Sequence, residues 1–230
     1  FFSTPTPPSP ILSGLVGSEM CIRDSTPTMR IRDFDFNQSI DGFSFEAYKS
    51  AGDYQMIYGL DIEDTETDRP RMLTEINLIT GMATNVVDGE TYPNKTFPDS
   101  ETKRKALFFN NRFGLSDSSV LTIGFRYDDY ELNTSPDLLL SNANILNYQI
   151  SNTEDSAFTF KLGYLQDLSE NLTGFVQYAE GFKAPDYETS NTVFTNYLLF
   201  YTVTPNPNLG SEESNTIEVG LRGSGENDSW

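Results

Sequence analysis

A repeated alternation of apolar and polar residues constrains the fold of this chain more than any other feature. In residues 54–63 one face carries Tyr54, Met56, Tyr58, Leu60 and Ile62, and the other face is polar or glycine apart from Ile57. The same period of two recurs in residues 120–128, 157–165 and 215–223, and less cleanly in 42–50 and 172–181. Because successive side chains of a β-strand point to opposite faces, each stretch predicts a strand with one apolar face.

Two all-β architectures share this alternation. A soluble β-sandwich buries its apolar faces between two sheets, whereas an outer-membrane β-barrel turns them toward lipid. Strands of roughly ten residues, aromatic residues near the strand ends, and charged residues with glycine on the second face are typical of the barrel. The pattern therefore favours an antiparallel transmembrane β-barrel over a sandwich.

The connections between the predicted strands have two very different lengths. Short turns are predicted at residues 50–53, 116–119, 167–171 and 223–227, and all of them fall at one end of the sheet. Long connections at 64–103, 133–155 and 182–214 fall at the opposite end, where 37–42 is the only short link. Outer-membrane barrels have short periplasmic turns and long external loops, so this pattern predicts about eight barrel strands.

About eight strands could also close into a complete small barrel, which would leave no strand edge unpaired. Loops of roughly thirty to forty residues are uncommon unless they are functional, however, and no closing strand is recognisable before Trp230. We therefore expect one sector of a larger barrel over residues 26–230, without a plug domain.

Composition excludes several other classes of protein. No stretch approaches the roughly eighteen apolar residues of a membrane-spanning helix. A net charge of −19 with only 15 lysines and arginines argues against nucleic acid as a partner. Histidine is absent, so no Ser/His/Asp triad and no imidazole metal site can form. We predict no catalytic residues, no resident metal site and no enzymatic activity.

The first 25 residues differ from the rest of the chain. They are rich in proline and lack the basic start and long apolar centre of a secretory signal peptide. The run from Leu15 to Ser25, which contains the single cysteine Cys21, has the character of a translated artefact. We therefore interpret residues 1–25 as a non-native leader that lies outside the folded barrel.

Two short motifs bracket the third long connection. They read Phe182, Lys183, Ala184, Pro185 and Asn206, Pro207, Asn208, Leu209. Together with residues 95–100 and the strand at 124–132, they resemble the TonB-dependent outer-membrane receptors, in particular the haem and haemoglobin/transferrin/lactoferrin branch. The similarity covers residues 95–223, and the paired motifs are its most specific part. Proline removes a backbone donor, so both motifs also suit the point where a strand gives way to a loop.

The resemblance implies a receptor in the outer membrane of a bacterium, surrounded by outer-membrane lipid, that imports an iron carrier. Haem or a haemoprotein is the first expected ligand, as transported cargo and not as a permanently bound cofactor. The resemblance also implies energy from the TonB complex, acting through a plug. A receptor for a siderophore or another nutrient is an alternative, and a passive porin is a further one.

Tyrosines in the bracketed connection are the remaining candidates for ligand binding. The resemblance implies a histidine here as an iron ligand, but this connection contains none and offers Tyr187, Tyr197 and Tyr201 instead. A tyrosinate can bind haem iron. The neighbouring apolar residues favour an aromatic girdle or hydrophobic contact without coordination over iron ligation.

Overall fold

The computed structural model describes residues 26–197 and 199–223. Its strands are β1 (Thr28–Phe34), β2 (Asn37–Ala51), β3 (Tyr54–Asp68), β4 (Arg71–Asn77), β5 (Ala83–Thr84), β6 (Val86–Val87), β7 (Glu90–Thr91), β8 (Asp99–Ser116), β9 (Ser119–Ser135), β10 (Thr153–Ser169), β11 (Leu172–Lys183), β12 (Phe194–Asn196), β13 (Tyr201–Val203) and β14 (Glu212–Gly223). Two short helices are α1 (Leu138–Ala143) and α2 (Tyr187–Asn191). Neither is long and apolar enough to span a membrane, and the same holds throughout the described residues. The predicted leader, residues 1–25, lies outside this part of the chain.

Seven strands form one antiparallel sheet in the order β14-β11-β10-β9-β8-β3-β2. Each strand of this main sheet lies beside the previous and the next main strand in the chain, as in a sector of an up-and-down barrel. The expected all-β antiparallel sector is confirmed. The sheet has seven described strands where about eight were predicted, because β1 pairs with β4 in a separate small sheet.

The predicted short link at residues 37–42 is wrong. These residues form the start of β2 and pair with β3 from Asn37↔Asp68 through Gly42↔Glu63. The segment is polar and contains a glycine, which resembles a turn. Polar residues are equally suited to a strand that continues beyond the apolar band, where both faces of the sheet are exposed to water.

The remaining connections follow the predicted alternation of short and long. Residues 52–53, 117–118 and 170–171 make tight turns at one end of the sheet, and Gly52 adopts φ +58°, which glycine permits without strain. The predicted turn at 223–227 lies almost entirely outside the described residues. At the other end are loop 1 (69–98), loop 2 (136–152) and loop 3 (184–211).

The register aligns the apolar residues of neighbouring strands on one face of the main sheet. Leu60 pairs with Leu107, Leu107 with Tyr127, and Tyr127 with Phe158. Phe158 and Leu107 remain about 60% exposed, at 61% and 60%. A soluble sandwich would cover this face with a second sheet, whereas among the described residues it stays open, as expected of a face that meets lipid.

Most buried apolar residues lie among the loops, and Ala106, Tyr130 and Leu132 of the main sheet are also buried. Leu73, Val87 and Tyr92 of loop 1 form one buried cluster. Phe97, Leu140 and Val193 are also buried and come from loops 1, 2 and 3 respectively. The three long loops therefore pack on one another into a cap at one end of the sheet.

Candidate ligand-binding loops

Arg71 is the centre of the loop cap. Its side chain is buried, with the residue 8% exposed, and its guanidinium lies 5.6 Å from the ring centres of both Tyr92 and Phe194. It forms an ion pair with Glu90 and donates a 2.9 Å hydrogen bond to Asn94 Oδ1. An arginine stacked on aromatic rings and paired with a half-buried carboxylate is held in a single orientation. Arg71 thus joins loop 1 to loop 3.

Lys95 makes the second polar junction of the cap. Its ammonium lies 2.8 Å from Asp68, 2.5 Å from Asp99 and 3.0 Å from Asp137. Burial alone lowers the pKa of Lys95, but hydrogen bonds to the three carboxylates outweigh it and raise the pKa above its usual range. Asp137 also caps α1 by accepting from the Leu140 N–H at 2.8 Å. The junction therefore fixes loop 2 against both ends of loop 1.

The sequence motif at residues 95–100 lies under loop 3. Phe97 is 1% exposed, and its ring lies 5.1 Å from that of Tyr187. The Val193 N–H donates a 2.6 Å hydrogen bond to the Thr96 carbonyl. These contacts seat the first half of loop 3 on the end of loop 1.

The motif Phe182 to Pro185 forms the boundary between sheet and loop. Phe182 and Lys183 end β11 opposite Glu213 and Glu212 of β14, and the exposed Lys183 ammonium lies 3.6 Å from Glu212. Ala184 and Pro185 begin loop 3. The predicted transition from strand to loop is confirmed, whereas a role of this motif in ligand binding stays a prediction.

The second motif forms a turn at the far base of loop 3. The Leu209 N–H donates to the Asn206 carbonyl at 3.1 Å, and the Asn208 N–H donates to the Asn206 side chain at 3.2 Å. Pro207 lies inside this turn. The Asn206 N–H donates to the Ser190 carbonyl of α2 at 3.0 Å, so the structure brings the two ends of loop 3 together.

Helix α2 follows directly from Pro185. Asp186 begins it by accepting from the Thr189 N–H at 2.6 Å, which satisfies one of the free donors at a helix start. This cap places Tyr187 over Phe97. Burial, followed by the neighbouring charges of Glu188 and Asp186, raises the pKa of Tyr187. A raised pKa disfavours the tyrosinate that would bind iron.

The three candidate tyrosines have separate surroundings. Tyr197 lies on Gly89 of loop 1, so close that a Cβ on that glycine would be 2.9 Å from the ring. Tyr201 packs at 6.0 Å on Phe194 across the β12–β13 hairpin. No ring contact links the three tyrosines to each other within the described residues. They share loop 3, but they do not form one aromatic cluster.

The tip of loop 3 exposes apolar side chains. Phe200 is 92% exposed and Leu199 67% exposed, at the turn between β12 and β13. Phe200 adopts φ +55°, a left-handed conformation that is costly for a bulky residue. Leu198 lies outside the described residues. Sequence reasoning identified the tyrosines here and missed Phe200, although the aromatic run containing it was visible.

A cavity of about 590 Å³ lies below loop 3 on the polar face of the sheet. Four residues of the predicted set line it, namely Phe182, Lys183, Ala184 and Tyr187. Arg104, Arg126, Asp128 and Tyr130, which sequence reasoning did not select, line it as well. Arg126 lies 3.1 Å from Asp61 and 2.9 Å from Asp128. These residues could have been found from the sequence, because they occupy the positions of β8 and β9 that lie between the residues of the apolar face.

Beside this cavity the main sheet opens. The register between β10 and β11 ends at Lys161↔Ala179, and above it the Glu180 carboxylate accepts the Phe160 N–H at 2.9 Å. Across residues 26–197 and 199–223, no group of three or more acidic, His or Cys side chains could hold a metal ion. Most residues that line the cavity have hydrogen-bonding or charged side chains.

Solved structures share this fold. The copper transporter OprC aligns with a TM-score of 0.59 at 14% identity over 85% of this chain and 29% of that chain. The Serratia marcescens hemophore receptor HasR, solved with its hemophore HasA and heme, gives a TM-score of 0.50 at 16% identity over 85% and 30%. Likeness at such low identity shows the fold alone.

Sequence comparisons identify relatives and the family. Hemoglobin-haptoglobin utilization protein B of Neisseria meningitidis serogroup A / serotype 4A is 29% identical over 133 residues, which make up 55% of this chain. The aligned region spans 16% of that relative. The family model described as TonB dependent receptor-like, beta-barrel matches residues 9–230. The chain therefore belongs to the TonB-dependent receptor family, and its barrel lies in the outer membrane of a bacterium.

Proposed function

We propose that this protein imports an iron carrier and that the carrier is haem, taken from a haemoprotein at loop 3. The observation that carries the proposal is the folding of loop 3 on itself, in which the Asn206 N–H of the second motif donates a hydrogen bond to the Ser190 carbonyl of α2, the helix that follows the first motif. The name of the Neisseria relative, a hemoglobin-haptoglobin utilization protein, gives independent support. Because the chain belongs to the TonB-dependent receptor family, we no longer consider a passive porin or a soluble β-sandwich as alternatives.

Capture begins at the loop tip. Exposed Leu199 and Phe200 supply apolar area for contact with a protein carrier or with the flat face of haem. The exposed Lys183 ammonium at the base of the same loop attracts the anionic propionates of haem. Tyr187 contributes packing on Phe97, and burial raises its pKa, which disfavours the tyrosinate that would ligate iron.

Transport follows capture and involves no covalent chemistry. The carrier passes from loop 3 to the cavity on the polar face, which is the inner wall of the barrel. A plug inside the barrel moves to admit it, and the TonB complex supplies the energy through that plug. The protein therefore acts as a transporter and not as an enzyme.

The test uses the complete receptor, purified in detergent and titrated with haemin while the Soret band is recorded. We expect a shifted, saturable band that is unchanged by Tyr187→Phe. Substitution of both Leu199 and Phe200 by serine should weaken the titration, while retained heat-modifiable mobility on gels shows that the barrel is folded. An unshifted band with a folded barrel would overturn haem as the ligand.

A second candidate is a receptor for a siderophore or another nutrient. The absence of histidine from the whole sequence favours it, because the expected imidazole ligand for haem iron is lacking. Growth of the host on haemoglobin or on a ferric siderophore as the sole iron source separates the two. Loss of growth on the siderophore alone, after deletion of the gene, would favour the second candidate.

A further inference from the structure

The β10–β11 ladder ends before either strand does. Its last pair is Lys161↔Ala179. Beyond that pair, β10 stays in register with β9 as far as Thr153, and β11 stays in register with β14 as far as Lys183. The two strands therefore separate toward the loop end of the main sheet, and each of them remains paired with its other neighbour.

Side-chain carboxylates accept hydrogen bonds along the edge of β10 that this separation exposes. Glu180 accepts the Phe160 N–H at 2.9 Å, and Asp155 accepts the Ser156 N–H at 2.8 Å. In an antiparallel ladder every second residue directs its N–H toward the same neighbouring strand, so Ser156, Phe158 and Phe160 face β11. Carboxylates thus take the place of the strand carbonyls that would otherwise pair with this edge.

After it separates from β10, the chain crosses the polar face of the sheet. The Pro185 carbonyl accepts a hydrogen bond from Tyr130 of β9, which lies two strands away from β11. Lys183, Ala184 and Tyr187 line the cavity below loop 3. The separation of β10 from β11 therefore places the start of loop 3 along one side of the cavity.

The residues at the end of β11 also fit a continued ladder. In the same register Phe182 would lie opposite Phe158, whose side chain is 61% exposed on the apolar face, and the two rings would form a cross-strand aromatic pair. Lys183 would lie opposite Ala157, whose partner on β9 is Asp128. The lysine would then reach this carboxylate across the small alanine side chain. The sequence is therefore compatible with a separated ladder and with a continued one.

We propose that β10 and β11 form a zipper that gates the cavity below loop 3. In the separated state described above, the Glu180 carboxylate holds the Phe160 N–H and loop 3 covers one side of the cavity. In the zipped state the ladder continues through the last residues of β11, and the backbone carbonyl of Glu180 replaces its carboxylate on the Phe160 N–H. The hydrogen bond from Tyr130 to Pro185 breaks, so loop 3 withdraws from the polar face and the cavity opens.

The test is disulfide trapping in the complete receptor. Ala157→Cys with Lys183→Cys should cross-link under mild oxidation, because the zipped state makes these residues a non-hydrogen-bonded pair with Cα atoms about 4.5 Å apart. Lys161→Cys with Ala179→Cys, at the last pair of the existing ladder, is the positive control. The single-cysteine variants give the background. Cross-linking of the first pair at background level, while the control pair cross-links fully, overturns the proposal.

Glu180→Ala should shift the balance toward the zipped state. It removes the carboxylate that holds the edge of β10, so the cross-linking rate should rise about tenfold, as expected for the loss of one hydrogen bond to a charged group. Glu218→Ala is the matched control, because the Glu218 carboxylate accepts from Gln177 within the existing β11–β14 ladder. Equal cross-linking rates in the two variants would overturn the assignment of Glu180 as the latch.

Gating of the cavity has its own readout. Thr65 lines the cavity and is 9% exposed, so a cysteine at this position reports access from solvent. Labelling of Thr65→Cys by a soluble maleimide should be faster when Glu180→Ala is added and unchanged when Glu218→Ala is added. Equal labelling rates would show that the zipper does not gate the cavity. These measurements use no haem, so their outcome does not depend on the proposed cargo.

Discussion

The hydroxyl of Tyr130 donates a 2.7 Å hydrogen bond to the carbonyl of Pro185. Tyr130 is a buried residue of wall strand β9, and Pro185 is the second residue of loop 3. This contact ties loop 3 to the barrel wall at the point where β11 ends. Proline has no N–H of its own, so its carbonyl is the only backbone group with which this residue can be anchored.

Tyr130→Phe should loosen loop 3 without disturbing the barrel. The substitution leaves the buried Pro185 carbonyl without its donor, at a cost of about 1–3 kcal/mol. Hydrogen–deuterium exchange should rise in residues 186–196 and stay unchanged in β3 and β8. Tyr164→Phe is the control, because its hydroxyl bonds to Gln166 at the exposed far end of the sheet. Equal exchange in both variants would contradict an anchoring role.

Arg71→Gln should separate loop 1 from loop 3. The variant leaves the carboxylate of Glu90 without its charged partner in a poorly solvated site, which costs about 3 kcal/mol. Proteolysis of the β12–β13 hairpin is the readout. Arg69→Gln is the matched control, since its exposed 3.7 Å ion pair with Glu188 contributes about 0–1 kcal/mol. The two variants should therefore differ by more than tenfold in cleavage rate.

Asp88 makes the small sheet of β1, β4 and β5 sensitive to acid. Hydrogen bonds from Arg30 hold the pKa of Asp88 below its usual range. A carboxyl whose pKa is lower in the folded state stabilises that state above its unfolded pKa of about 3.9, and the effect is lost as the pH falls toward the folded value. Exchange protection of Arg30 to Phe34 should thus decrease below about pH 4. Arg30→Gln should remove this part of the pH dependence, and an unchanged acid profile would contradict the linkage.

Gly89 tests the contact between loop 1 and Tyr197. It follows Asp88 in a tight turn between β6 and β7, where both residues have positive φ, +52° and +85°. Gly89→Ala adds backbone strain of about 1–2 kcal/mol and a clash with the Tyr197 ring. Gly81→Ala carries the same strain at φ +72° with nothing within 4 Å of the new methyl group. Exposure of the loop-3 hairpin to protease should therefore increase only in Gly89→Ala.

The main sheet could be predicted from sequence because its signals are local. Alternation around Leu60 and Tyr127 shows which residues share the apolar face, and the polar pairs at 52–53 and 117–118 indicate tight turns. The same reasoning failed at residues 37–42, where a polar strand outside the apolar band has the composition of a turn. The extension of β2 beyond the apolar band depends on its pairing with β3. No residue within 37–42 indicates that pairing.

The loop cap could not be predicted because its contacts join distant residues. Lys95 was recognised only within a family-like motif, yet its three carboxylates come from β3, β8 and the start of α1. Arg71 carried no motif at all, and its partner Phe194 is more than a hundred residues away in the chain. The placement of the two loop-3 motifs at the loop base was predictable, since proline ends strand pairing.

Substitutions of Phe200 can distinguish a role in ligand binding from a role in the stability of the hairpin. Its left-handed backbone costs the folded protein about 1 kcal/mol or more, and its ring is 92% exposed. Phe200→Gly should therefore leave the stability of the hairpin unchanged or raise it, because glycine adopts this conformation without strain. If the ring contacts the carrier, the same variant should bind haemoglobin about tenfold more weakly in surface plasmon resonance, as expected for a buried aromatic contact. Phe200→Leu keeps the strain and most of the apolar area, and it should retain most of the affinity. Unchanged haemoglobin binding by Phe200→Gly would contradict a role for this tip in capture.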